Sequence, residues 1–359
     1  MRFYHAVLLL LLPLLGPMTT DNSLNDKSAR VDALFQEYDG ANVPGASVLV
    51  VKEGRVIFKK AYGMANLEER IPSTTKTNYR LASVTKQFTA MSIMILAERK
   101  KLSYDSTLRD FFPGFPEYGK RITVRHLLNH TSGLIDYEEV IPKETSTPLR
   151  DKDVLQLLRQ QESTYFAPGS AYRYSNSGYA LLALIVEAAS GSSFARFLEE
   201  NIFRPLGMSD SVAYEQGIST VSNRAYGYRK RSGGFERKDQ SLTSSVLGDG
   251  GIYSSVEDLY KWDRALYTNR LVSFRTLRQA FTQGTLTEDE KIGYGFGWYL
   301  ETYRGLRATW HYGSTVGFRT AIERFPERRL TVVVLVNREE VDAHKLARQI
   351  ADLYLFDGK

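Results

Sequence analysis

Leu81-Ala82-Ser83-Val84-Thr85-Lys86 leads straight into an apolar run in which Phe88, Met91, Ile95 and Leu96 recur at helical spacing. At the start of a helix, residues i and i+3 lie on one face, one turn apart, so the Lys86 amine is expected beside the Ser83 hydroxyl. A serine hydroxyl is a weak nucleophile until a base takes its proton, and a lysine shielded from water can be that base. Free N–H groups and the positive dipole end of the helix favour anionic charge developing at the same place. Ser73-Thr74-Thr75-Lys76 has identical spacing but follows Pro72 in a polar stretch with no apolar face, and reads as surface.

Two further segments carry chemistry. Tyr174-Ser175-Asn176 follows a polar loop containing Pro168-Gly169-Ser170 and precedes Tyr179 to Ala189, an apolar stretch that reads as a buried helix ended by Gly191. A tyrosine held there can relay a proton if neighbouring cations lower its pKa. Tyr267-Thr268-Asn269 repeats the pattern at a helix end without such a setting. His311-Tyr312-Gly313-Ser314 falls on a predicted strand. There Gly313 would let substrate backbone lie along the strand edge, and the Ser314 N–H would point into an oxyanion site.

Working outward, Lys27 to Tyr38 reads as an amphipathic helix with Val31, Leu34, Phe35 and Tyr38 on one face. Strands follow at Ala46 to Lys52 and Arg55 to Tyr62, joined at Glu53-Gly54. Near the other end, Phe296 to Thr302, Arg307 to Tyr312, Thr320 to Phe325 and Leu330 to Asn337 read as strands, and a closing helix carries Leu346, Ile350 and Leu353. The region between is mostly helical. Ser193 starts one helix, with Phe194, Phe197, Leu198 and Ile202 as its face and Pro205 beyond its end. Ser254 and Glu257 suggest a capping box for another. Strands at both ends with helices inserted between them predict a sheet domain plus a helical domain, with the active site in the cleft between.

Taken together, Ser-x-x-Lys at 83–86, Tyr-x-Asn at 174–176 and His-x-Gly at 311–313 resemble the three motifs of the serine β-lactamase and penicillin-binding-protein family. The branch most similar holds class C β-lactamases, D-alanyl-D-alanine carboxypeptidases and related esterases. Leu127-Leu128-Asn129-His130-Thr131-Ser132-Gly133-Leu134, Arg204-Pro205-Leu206-Gly207-Met208 and Gly250-Gly251-Ile252-Tyr253-Ser254 add to the resemblance, which spans about Val31 to Leu355.

The resemblance implies a β-lactamase/transpeptidase-like α+β (α/β) fold, an antiparallel sheet flanked by helices with an inserted, mostly helical domain. Its sheet part would take residues 25–80 and 290–359, its helical part 81–289. It further implies that Ser83 is acylated while Lys86 and Tyr174 shuttle its proton. Asn176 would bind the substrate carbonyl side or orient Lys86, and His311 would donate to Tyr174 or substrate. The N–H groups of Ser83 and Ser314 would form the oxyanion hole. Most members with β-lactamase or carboxypeptidase activity carry lysine where this chain has His311, which is mostly neutral at pH 7. That favours esters, amides or D-amino-acid peptides over β-lactams, with Arg319 as a candidate replacement for the missing charge. A protein that acylates at Ser83 and deacylates slowly would instead be a penicillin or peptidoglycan sensor.

Other patterns restrict the reading. No Gly-x-Ser-x-Gly elbow occurs. His126 and His130 have i, i+4 spacing, but Leu127 stands where a zinc-protease helix needs glutamate, so a structural role and no metal are expected. Gly293-Tyr294-Gly295-Phe296-Gly297-Trp298 lacks the last glycine of a nucleotide loop and reads as a strand start. Cysteine is absent, which excludes disulfides and thiolate chemistry. The net charge of +6 is scattered among acids, with no nucleic-acid footprint. No cofactor is expected, and the partner is a small-molecule or peptide substrate, cell-wall peptide included. Arg2 and His5 before the apolar run Ala6 to Leu15 suit a secretory signal over residues 1–20, and hence a periplasmic or secreted protein, although the run could also remain as a membrane anchor. Pocket shape should depend on the loops Asp136 to Pro148 and Gln216 to Leu247.

Overall fold

The computed structural model describes residues 21–356; the expected signal at 1–20 lies outside them. Strand β1 (Ala46–Lys52) is buried on both sides. Its Val48 and Val50 face one core while Leu49 and Val51 face another, as the two-residue repeat of a strand requires. It turns into β2 (Arg55–Tyr62) through Glu53 and Gly54, whose φ angles of 53° and 77° suit a tight hairpin.

The sheet is completed by residues from the other end of the chain: β3 (Tyr299–Tyr303), β4 (Leu306–Thr315), β5 (Phe318–Phe325) and β6 (Leu330–Val336). Strand order is β3-β4-β5-β6-β1-β2, antiparallel throughout. β6, an unbroken apolar run, pairs with β1 from Ala46 opposite Val336 to Lys52 opposite Leu330. Helix α1 (Asp21–Leu34), with Phe35 just after it, and a helix at the far end, Ala343–Leu355, cover one face through Val31, Phe35, Ala347 and Ile350.

The opposite face meets the helical region. Helix α2 (Lys86–Glu98) places Phe88 against Trp262, ring centroids 4.3 Å apart, and the Trp262 indole N–H donates to Gln87 Oε1 at 2.9 Å. Burying an aromatic side chain of this size contributes roughly 1.5–3 kcal/mol. Arg324 of β5 donates to Asp263 at 2.7 Å with both side chains 2% exposed, and the Thr331 hydroxyl donates to the same oxygen. Helix α3 (Asn176–Ser190) runs through this region and stops at Gly191, which takes a left-handed φ of 73°.

Several elements differ from expectation. α1 starts at Asp21 rather than Lys27, and a 3-10 turn, Gln36–Tyr38, follows it. The strand expected from Phe296 begins at Tyr299, because the backbone at Gly297 (φ 78°) packs against the start of α2, where a Cβ would meet Lys86 O at 2.8 Å. β4 extends to Thr315. Pro205 sits inside the helical run that starts at Phe194. A π turn at Glu199–Phe203 precedes it, and loosened hydrogen bonding there tolerates a residue with no N–H. The cap expected at Ser254 belongs to Ser255, which accepts from Asp258 N–H at 3.2 Å; Ser254 turns inward to Ser211. Ser73, read as surface, is buried and accepts from the Tyr79 hydroxyl at 3.1 Å.

Candidate active site

Ser83 lies in a 3-10 turn, Ala82–Thr85, that runs directly into α2. The turn is clamped on both sides. Leu81 N–H donates to Ile252 O at 2.8 Å, and the Thr320 hydroxyl donates to Leu81 O at 2.7 Å. Ala82 is held at φ 48°, a left-handed conformation costing about 1 kcal/mol or more in a residue with a Cβ. The Ser83 N–H belongs to the first turn, whose amides have no intrahelical acceptor.

β4 passes alongside this turn. A Cβ on Gly313 would lie 2.1 Å from Leu81 O and 2.3 Å from Thr320 Oγ1. The missing side chain therefore admits the nucleophile turn itself. β3 pairs with β4 only as far as Trp310, so residues 311–315 form a free edge on the cleft side, with Ser314 exposed at its lip.

Lys86 is fully buried. Its Nζ lies 3.1 Å from Ser83 Oγ, 2.9 Å from Asn176 Oδ1 and 2.9 Å from the backbone oxygen of Asp249. Burial lowers its pKa to about 8, against the opposing pull of Asp249, Asp136 and Glu138. A neutral amine has two N–H groups and one lone pair. Asn176 Oδ1 and Asp249 O can only accept, so they take the two N–H groups and leave the lone pair facing the Ser83 hydroxyl.

Tyr174 stands over this amine, with Lys86 Nζ 5.0 Å from its ring centroid, and packs against His130 at 4.3 Å. The cations do not win here: burial pushes the phenol well above its ordinary pKa, Tyr299 adds to that, and a hydrogen bond with Ser83 only partly offsets it. The phenol is thus a neutral O–H at working pH, able to give a proton and take one back.

His311 is placed differently from its implied role. Its Nδ1 lies 2.7 Å from Tyr312 O, which can only accept, so Nδ1 carries the hydrogen. Its Nε2 lies 3.0 Å from the Tyr294 hydroxyl and accepts from it. Both nitrogens are therefore engaged away from Tyr174, and burial lowers the ring's pKa to about 3, so it stays neutral. Arg319 Nη1 is bonded to Thr315 O and Phe318 O at 2.7 and 2.8 Å, holding the β4–β5 turn. His126 Nδ1 accepts from Thr123 N–H and His130 Nδ1 from Ser175 N–H, at 3.2 and 3.1 Å.

The structure brings Ser83, Lys86, Tyr174, Asn176 and Ser314 to one cleft and adds residues that sequence reasoning missed. Asn176 Nδ2 donates to Glu138 Oε1 at 3.0 Å, and Glu138 lines the cleft. Asp136 accepts from Glu138 N–H and Asn176 N–H, tying that loop to α3. The Tyr137 hydroxyl donates to Asp249 at 3.0 Å, and burial raises that carboxyl to about 7. The Asp136 to Pro148 loop was visible as a pocket former, but no spacing in it marks Glu138. Asp249 sits one residue before the Gly250–Ser254 stretch already noted and had the better signal.

Such a site can activate a hydroxyl, form an ester with it and protonate a leaving group. A family model described as "Beta-lactamase" matches residues 31–355. Penicillin-binding protein 4* of Bacillus subtilis is 34% identical over 88% of this chain and 73% of its own length. A D-aminopeptidase of Cereibacter sphaeroides is 30% identical over 93% of this chain, which spans 63% of that relative. The crystal structure of a penicillin-binding protein from Bacillus halodurans superposes with a TM-score of 0.78 at 30% identity, covering 90% of this chain and 98% of that one.

Proposed function

The chain belongs to the β-lactamase family of serine hydrolases, and on that premise we propose that it cleaves esters, amides or D-amino-acid peptides through a Ser83 acyl-enzyme. The observation that carries this reading is the Lys86 amine, buried, lowered in pKa and 3.1 Å from Ser83 Oγ. Lys86 takes the Ser83 proton as Oγ bonds to the substrate carbonyl carbon. The N–H groups of Ser83 and Ser314 receive the oxyanion. Tyr174 gives its proton to the departing amine or alcohol and regains one from Lys86, and water then releases the acyl group by the reverse path.

Two observations favour D-amino-acid peptides and amides, cell-wall peptide among them, over β-lactams. His311 is neutral, so the third motif offers no permanent cation to a β-lactam carboxylate. The similarity to a D-aminopeptidase points the same way. We propose also that the protein works in the periplasm or outside the cell; the apolar run Ala6 to Leu15 supports this, and the N-terminal residue of protein recovered from the medium or periplasm tests it.

Intact mass after brief exposure to a fluorophosphonate, p-nitrophenyl butyrate and a penicillin tests the acyl-enzyme. One adduct on wild type, absent from Ser83→Ala, with the butyryl form lost quickly, is the expected result. Equal labelling of both proteins, or of neither, overturns it. A lasting penicilloyl form without ester turnover would assign a sensor instead.

A further inference from the structure

The two acceptors that orient Lys86 are secured in different ways. Asn176 stands in the first turn of α3, whereas Asp249 O belongs to a short helical turn, Leu247–Gly250, after the long connection from Gln216. Two consecutive N–H groups of that turn, those of Leu247 and Gly248, donate to the two oxygens of Asp151 at 2.9 Å each. Asp151 is buried and opens the helix Asp151–Arg159. The residues before it run beside the same connection: Leu149 N–H donates to Leu242 O at 2.7 Å, and Arg150 bridges to Ser245. From another side the Thr89 hydroxyl donates to Gly248 O at 2.7 Å. Gly248 itself is pressed onto α3, where a Cβ would lie 2.3 Å from Tyr179 O.

Resting on the acyl-enzyme reading above, with Lys86 as the base, we propose that Asp151 is a positioning residue of the reaction: its carboxylate fixes the Leu247–Gly250 turn so that Asp249 O stays in place as an acceptor orienting the Lys86 amine. A carboxylate that takes two successive N–H groups, one on each oxygen, sets both the place and the rotation of the backbone that follows them. The next two carbonyls, of Gly248 and Asp249, are thereby delivered to Thr89 and Lys86, which lie i and i+3 on one face of α2. The carboxylates that act on the amine through space are Asp249, Asp136 and Glu138, so Asp151 works on it through the turn. Burial raises Asp151 to about 7 while its two N–H partners pull the other way, so it is an anion over the range in which Lys86 loses its proton.

The test is the pH profile of p-nitrophenyl butyrate turnover, expressed per site labelled by a fluorophosphonate, in wild type, Asp151→Asn, Asp151→Ala and Thr89→Val. Asparagine keeps one acceptor and alanine none, so the plateau per labelled site should fall about threefold in the first and about tenfold in the second. The acid limb should move down, by about half a unit in Asp151→Ala, because a carbonyl withdrawn from Nζ no longer stabilises the ammonium. Thr89→Val frees Gly248 O from the other side and should move the limb the same way, so the test stands even where Asp151→Ala does not fold. A merely structural role would lower the number of labelled sites and leave the plateau and limb of each site unchanged; that result in the variants overturns the proposal. A wild type that does not label at Ser83, or whose profile has no limb near 8, condemns the acyl-enzyme reading and this role with it. Normal labelling and a normal wild-type limb, with variants that keep that limb, condemn only the role of Asp151.

Discussion

Asn176 Oδ1 accepts from Lys86 Nζ at 2.9 Å, and this contact, more than any distance to substrate, sets the direction in which the amine faces Ser83. The amide can only accept through that oxygen, so it selects an N–H from Lys86 and leaves the lone pair for the serine proton.

Replacing this acceptor should act on the base. Asn176→Ala is expected to lower kcat about tenfold, part of the 10²–10⁴-fold worth of a positioned general base. Asn176→Asp puts a carboxylate against the amine and should favour its charged form, moving the acid limb of kcat/KM upward by about one unit. A pH profile of ester turnover distinguishes the two; an unmoved limb in Asn176→Asp would remove Lys86 as the base.

The wild-type profile follows from the same group. The neutral amine is the active form, so kcat/KM should rise with pH and level off above about 8, the lowered pKa of Lys86. No second limb near 6.5 is expected from His130 or His311, because burial depresses both. Stability carries the matching sign. The folded pKa of Lys86 lies below its ordinary 10.5, so the unfolded chain binds more protons between about 8 and 10.5 and this group's contribution to stability rises with pH there. Proton uptake on unfolding, measured by calorimetry in buffers of different ionisation enthalpy at pH 9, reads it directly.

Gly313→Ala should damage activity before it damages the fold. The added Cβ meets Leu81 O and Thr320 Oγ1, so the Ser83 turn must move away from β4. Displacing a catalytic group by an ångström can cost about a hundredfold, and overpacking at such a site costs about 1–3 kcal/mol. Stopped-flow ester hydrolysis beside a urea titration measures both. Full activity would mean that the turn and strand are less tightly coupled than their contact indicates.

Arg324→Met strands Asp263 in the interior with only the Thr331 hydroxyl beside it. Removing one partner of such a pair is expected to cost about 3–5 kcal/mol. The double variant Arg324→Met with Asp263→Leu should recover much of that loss. Urea midpoints of the cycle test it, and a double variant as unstable as the single one would contradict the assignment of the cost to an unpaired charge.

The strands were legible because their residues alternate or run apolar without interruption: Ala46 to Lys52 and Arg55 to Tyr62 were placed to the residue. The pairing of Ser83 with Lys86 was legible because helical spacing dictates it. What the sequence hid depends on tertiary approach. At Gly313 nothing local says that Leu81 will press against it. The Tyr174 phenol looked open to cations because burial by Tyr299 and His130 is contributed from distant segments. Glu138 stayed invisible for the same reason, since it becomes part of the site only when Asp136 ties its loop to α3.

The pairing of β1 with β6 also governs when the protein can exist at all. Residue 46 finds its partner at residue 336, and the Ser83 turn rests on β4 and on Thr320 of β5. Contacts this remote in sequence form slowly, because the intervening chain must be ordered to close them. A growing chain on the ribosome therefore carries its nucleophile long before it carries the surface that activates it. Until β6 emerges, β1 and β2 cannot join β3, β4 and β5 in one sheet behind α2, and the core between them stays open.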